Sequence, residues 1–91
     1  MQHRYFSESG IVVKGRGHLT DVHFNSGADG DTLVVYDGLN TSGRIIASFI
    51  VGKYGYIPYV PKTWPSFDAG LYIAVSGTTP HVTIGYRTGD A

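Results

Sequence analysis

Along most of this 91-residue chain the apolar side chains return at every second position, in IVVK (11–14), HLTDVHF (18–24), TLVVYD (32–37), RIIASFIV (44–51), GLYIAVS (70–76) and HVTIGYR (81–87). A period of two is that of a strand, whose successive side chains point to opposite faces. The spacing predicts strands over these segments. No segment carries the 3.6 period of an amphipathic helix, and thirteen glycines with four prolines punctuate the chain too often for long helices.

The alternation also assigns faces. In 18–24, His18, Thr20, Val22 and Phe24 fall on one side and Leu19, Asp21 and His23 on the other, and the first set is the expected core face. In 32–37 both sides are apolar, Leu33 and Val35 against Val34 and Tyr36, as in a central strand or one that meets a partner outside. Two stretches, 32–51 and 70–87, share a plan of two β-rich runs either side of a glycine-bearing turn, and both are expected to be hairpins. Asp37, Gly38 and Gly43 would shape the first turn, with Gly70 opening the second unit and Gly77 turning it. In that second hairpin Leu71, Ile73 and Val75 would stand opposite Val82, Ile84 and Tyr86. The two stretches do not align beyond their turn glycines, so shared geometry explains them without a duplication. The expected fold is all-β: a single small antiparallel β-sandwich or barrel, jelly-roll-like, of six to eight short strands.

Length allows one domain, able to bury roughly 60–65% of the surface its unfolded chain exposes. Residues 1–10 are expected to be a polar N-terminal arm and 11–91 the sandwich, interrupted by an aromatic and proline-rich loop at 52–67. Seven basic residues balance seven acidic ones, which leaves no electrostatic footprint for nucleic acid or an anionic membrane. Cysteine is absent, removing disulfides, zinc thiolates and thiol nucleophiles together. The longest apolar run, 45–51, is far short of the ~20 residues of a membrane helix. The first ten residues have no signal-peptide core, so synthesis in a cytoplasm is expected.

The search for chemistry yields little. His3, His18, His23 and His81 stand in no metal-binding spacing, and His18 and His23 alternate to opposite faces, so solvated or hydrogen-bonded histidines are expected. Asn25, Asp29 and Asp31 with Gly27 and Gly30 have a faint look of a calcium loop, but no glutamate follows Glu8, and a turn held by Asx hydrogen bonds is the expected reading. Asn40, Thr41 and Ser42 match a glycosylation sequon that has no consequence without secretion. No serine sits in a nucleophile elbow, and no carboxylate pair has a neighbour to split its pKa values. A non-enzyme without metal or cofactor is expected.

One stretch departs from the strand grammar. GKYGYIPYVPKTWPSF (52–67) sets Tyr54, Tyr56, Tyr59, Trp64 and Phe67 among Pro58, Pro61 and Pro65, and prolines cannot donate to a central ladder. Stiff aromatic loops lose little entropy on binding, which makes Tyr54, Tyr56, Tyr59 and Trp64, with Tyr5 and Phe6 of the arm, the candidate interface. The competing readings are that the rings cap an open end of the sandwich and complete its core, or that they stack on sugars.

Read together, GHLTDVHFNSGADGDTLVVYDG, SGRIIASF, FDAGLYIAVSG and VTIGYR resemble the small β-sandwich proteins found among the virion proteins of tailed bacteriophages. The resemblance runs through Gly17, Leu19 and Val22; Leu33, Val35, Tyr36, Asp37 and Gly38; Gly43 and Ile46; Phe67, Gly70, Leu71, Tyr72 and Ile73; and Val82, Thr83, Ile84 and Tyr86. It implies a capsid decoration or cement protein on the capsid surface of the virion, often a homotrimer, partnered by the major capsid protein or another virion protein. It transfers no catalytic residue. Two alternatives stand beside it: a tail, baseplate or fibre-associated protein that touches a host glycan, and a cupin-like metal- or ligand-binding domain, which needs histidines converging inside the barrel.

Overall fold

The computed structural model describes residues 2–27, 30–76 and 81–88. They form nine strands: β1 (Gln2–Phe6), β2 (Gly10–Lys14), β3 (Gly17–Asn25), β4 (Asp31–Asp37), β5 (Arg44–Val51), β6 (Tyr56–Tyr59), β7 (Ser66–Phe67), β8 (Gly70–Ser76) and β9 (His81–Thr88). No helix occurs among the described residues. The antiparallel pairs are nested, β4 with β5, β3 with β6, β2 with β8 and β1 with β9, as in one long ribbon folded back at the β4–β5 turn. Rolling that ribbon joins β9 to β3 and β8 to β4. Two sheets result, ordered β1-β9-β3-β6, with β7 also on β3, and β2-β8-β4-β5. This winding is the expected jelly roll, in which two sheets bury their inner faces against each other.

Nine strands replace the expected six to eight because two segments read as irregular pair with the sheet. The residues 1–10 arm supplies β1, which lies along β9 with Phe6 opposite Val82 and packed on the core. The 52–67 loop supplies β6 and β7. Pro58 is tolerated in β6 because that strand pairs with β3 alone, so its missing N–H faces no second strand.

The expected second hairpin is not formed. β8 pairs on both edges, with β2 and β4, and β9 pairs with β1 and β3, so neither has an edge left for the other. The chain instead crosses from one sheet to the other, and Leu71 and Ile73 share the core with Val82, Ile84 and Tyr86. Gly77 and the rest of that connection lie outside the described residues.

Face assignment in β3 also changes. The ladder pairs Leu19 with Tyr86 and then Asp21 with Gly85, leaving Thr20 as an extra residue in a β-bulge. Leu19 therefore joins Val22 and Phe24 in the core, all three fully buried, and His18 turns outward. Each such fully buried apolar side chain is worth roughly 1.5–3 kcal/mol of transfer free energy.

The β4–β5 turn is fastened to the adjacent β7–β8 turn by Asp37. One of its carboxylate oxygens accepts the N–H groups of Asp68 and Ala69 at 3.0 and 3.2 Å, and the other accepts from Arg44 at 3.2 Å. Arg44 also donates to the Ser66 carbonyl, and the Gly38 N–H to Gly70 at 3.0 Å. Burial alone would raise the Asp37 pKa, but the two backbone donors and the Arg44 guanidinium outweigh it and hold the carboxyl below its ordinary value of 3.8. Gly70 has φ +152°, and a Cβ there would stand 2.6 Å from Leu39 Cδ2 and 2.8 Å from the Val13 carbonyl, so only glycine fits. Gly43 closes the turn through its N–H to the Asn40 carbonyl. Asp31 fixes the preceding loop by accepting the Gly27 N–H at 2.6 Å, in keeping with a hydrogen-bonded turn; Asp29 lies outside the described residues.

Candidate functional site

The outer face of the five-stranded sheet gathers more hydrogen-bonding side chains than any other part of the described chain. On β9 the core takes Val82, Ile84 and Tyr86, so His81, Thr83 and Gly85 face outward. Through the ladders, His3 and Asp21 flank Gly85, Tyr5 and His23 flank Thr83, and Asn25 lies beside His81. Tyr56 pairs with Asn25 and Pro58 with His23, which places both on the same face. All four histidines of the chain thus belong to this outer face.

Asp21 is its centre. The bulge at Thr20 turns the Asp21 carboxylate over Gly85, where a Cβ would collide with its Oδ1. Thr20 Oγ1 donates to Oδ1 at 2.8 Å, His3 Nε2 lies 3.3 Å from Oδ1, and His23 Nε2 lies 3.1 Å from Oδ2. A neutral His23 that donates from Nε2 to Asp21 accepts at Nδ1 from the Tyr56 hydroxyl, 2.7 Å away. The two imidazoles approach different oxygens of the carboxylate and do not converge on one point. Among the described residues no group of three or more histidines and carboxylates is arranged to hold a metal ion. Nor do the histidines meet between the sheets, as a cupin-like site requires.

Ring stacking extends the network. His23 and Tyr56 stack at 6.2 Å between centroids, and Tyr5 stacks on His81 at 5.8 Å with its hydroxyl on His81 Nδ1. Three of the six candidate interface rings are in water: Tyr54 is 73% exposed, Tyr5 59% and Tyr56 53%. Tyr54 is held at φ +53°, a left-handed conformation rare for a ring-bearing residue, in the turn where its N–H reaches the Gly27 carbonyl.

The other three have structural work. Tyr59 and Phe6 pack against the core, Tyr59 meeting Phe49 edge-on at 5.4 Å, and the Arg4 guanidinium lies over Phe6 at 5.1 Å. Trp64 is half-buried under the Arg87 guanidinium at 5.6 Å. The candidate rings therefore divide residue by residue into those left in water and those packed on the sandwich. Alternation along β6 decides it, with Tyr56 outward and Ile57 and Tyr59 inward.

Sequence reasoning missed Asp21 as a hub. Asp21 and His23 at alternate positions were a visible signal, but the approach of His3 depends on β1 and β9, which are distant in sequence.

No known family model matches the chain, and no curated protein sequence matches it.

Proposed function

We propose that this chain is a structural protein of a bacteriophage particle, a decoration or cement protein that binds the head through the major capsid protein or another virion protein and stabilises it. The observation that carries this reading is the amount of large apolar side chain left in water on so small a domain: Ile45, Ile50, Tyr54, Tyr56, Val60 and Tyr5 are all exposed. Exposed large apolar side chains on a short scaffold of zero formal net charge suit a protein that works by binding. The resemblance of the strand and turn motifs to phage virion proteins supplies the setting.

The test is co-sedimentation of the full chain with purified capsids. Binding is expected, and the double substitution Tyr54→Ala, Tyr56→Ala, which touches exposed rings, should weaken it by about tenfold or more while the melting temperature stays near that of the wild type. A chain that stays in the supernatant and is missing from purified particles by mass spectrometry contradicts the reading. A second reading, contact with a host glycan, is favoured by the exposed Tyr5 and Tyr56 rings standing on one sheet face with the imidazoles of His3 and His23 beside them. Aromatic rings with nearby hydrogen-bonding side chains suit sugar rings and hydroxyls, and binding on a glycan array would select it.

A further inference from the structure

β5 ends the four-stranded sheet and, among the described residues, pairs with β4 alone. Its far side presents alternating N–H and C=O groups, which an extended backbone satisfies and a side-chain surface does not. Edge strands are ordinarily guarded by lysine, proline or an inward charge. RIIASFIV carries none of these beyond Arg44 at its first position, and that guanidinium is paired with Asp37. Ile50 on this strand is 81% exposed and Ile45 56%.

The ladder to β4 explains why both isoleucines face outward although they are five residues apart. Ile45 stands opposite Tyr36, Ser48 opposite Val34 and Ile50 opposite Thr32, with the register shifting around Ile46. The extra residue puts Ile45, Ser48 and Ile50 in one outward row, with the two isoleucines equally distant from Ser48, each roughly 7 Å away along the strand. Such a row is its own complement when turned end for end. We infer that β5 pairs antiparallel with β5 of a second copy, about a two-fold axis at Ser48, so that Ile50 of each copy meets Ile45 of the other and the two four-stranded sheets become one.

The chemistry favours a second copy over a foreign strand. The pairing matches apolar to apolar twice and serine to serine once, and it sends the two Arg44 side chains to opposite ends, each with its own Asp37. The chain is formally neutral, so two copies do not repel. The contact also extends an existing apolar row, since Ile11, Tyr72, Tyr36 and Ile45 follow one another across the outer face of this sheet. A closed two-fold contact gives a dimer in place of the trimer that the phage resemblance implies.

The inference shares Ile45 and Ile50 with the observation behind the proposed function, but its test does not depend on capsid binding. Its test uses the absence of cysteine: Ser48→Cys introduces a single thiol, and directly opposed antiparallel residues have Cα atoms about 4.5–5.5 Å apart, within disulfide range. The wild-type chain should sediment as a dimer at micromolar concentration, Ile50→Lys should raise the dissociation constant by about tenfold or more, and Ser48→Cys should form a disulfide-linked dimer under mild oxidation while exposed Thr63→Cys does not. A wild-type monomer, an Ile50→Lys variant that dimerises as well as the wild type, or Ser48→Cys linking no faster than Thr63→Cys overturns the pairing. A dimer that fails to bind capsids instead counts against the proposed function and leaves the pairing intact.

Discussion

β4 and β5 lie side by side in one sheet, whereas β8 and β9, also joined by a short connection, face each other across the core from different sheets. The difference is one of edges. β8 and β9 are flanked by strands on both sides, and their inward side chains Leu71, Ile73, Val82 and Ile84 are fully buried. β5 is flanked on one side, and of its eight residues only Val51 is buried. β8, β9 and β4 all lie inside their sheets and β5 alone of the four is a margin, so the same local plan builds core on both sides in one place and a free edge in the other.

Substitutions can break that contrast. Ile73→Ala or Ile84→Ala, in the interior pair, should cost about 2–5 kcal/mol, a large share of the stability of so small a domain, measured by urea unfolding. Asp37→Ala at the β4–β5 turn should cost less, about 1 kcal/mol, because it gives the N–H groups of Asp68 and Ala69 and the Arg44 guanidinium back to water, read as a melting temperature lower by roughly 4–8 °C.

The acid limb sharpens the same point. A carboxyl whose folded pKa is lowered contributes stability above its unfolded pKa and loses it as pH falls through the folded value, so the wild type should weaken as pH drops below about 3.8. Asp37→Asn should remove that part of the pH dependence. The smallest effect is expected at the margin: Ile50→Ala should change the stability of the monomer by no more than about 0.5 kcal/mol.

How the chain disguises this contrast is physical. Both units read as two alternating runs around glycines, and alternation reports which side chains are buried without saying which strand lies alongside. The expected inward residues Leu71, Ile73, Val82 and Ile84 are in the core, yet their strands are not neighbours, because pairing is fixed by β1, β2, β3 and β4, all far away in sequence. The Thr20 bulge hid the core role of Leu19 for a related reason: one extra residue puts the two sides of the bulge out of step, so Val22 and Phe24 keep their expected face while His18 and Leu19 exchange theirs. Asp37, Gly38 and Gly43 were legible because turn chemistry is local, whereas Gly70 opens no hairpin and is required instead by the close approach of Leu39 and Val13. In the aromatic stretch composition treats all the rings alike, and only the β6 ladder separates exposed Tyr56 from packed Tyr59.

The most direct measurement for the proposed role is cryo-EM of purified phage particles with the protein present and absent. Expected is added density on the head that fits the two-sheet roll, with the Tyr54 and Tyr56 side or the β5 edge against the shell or a second copy. Particles whose heads are identical with and without the chain, or density confined to the tail, would contradict the decoration role.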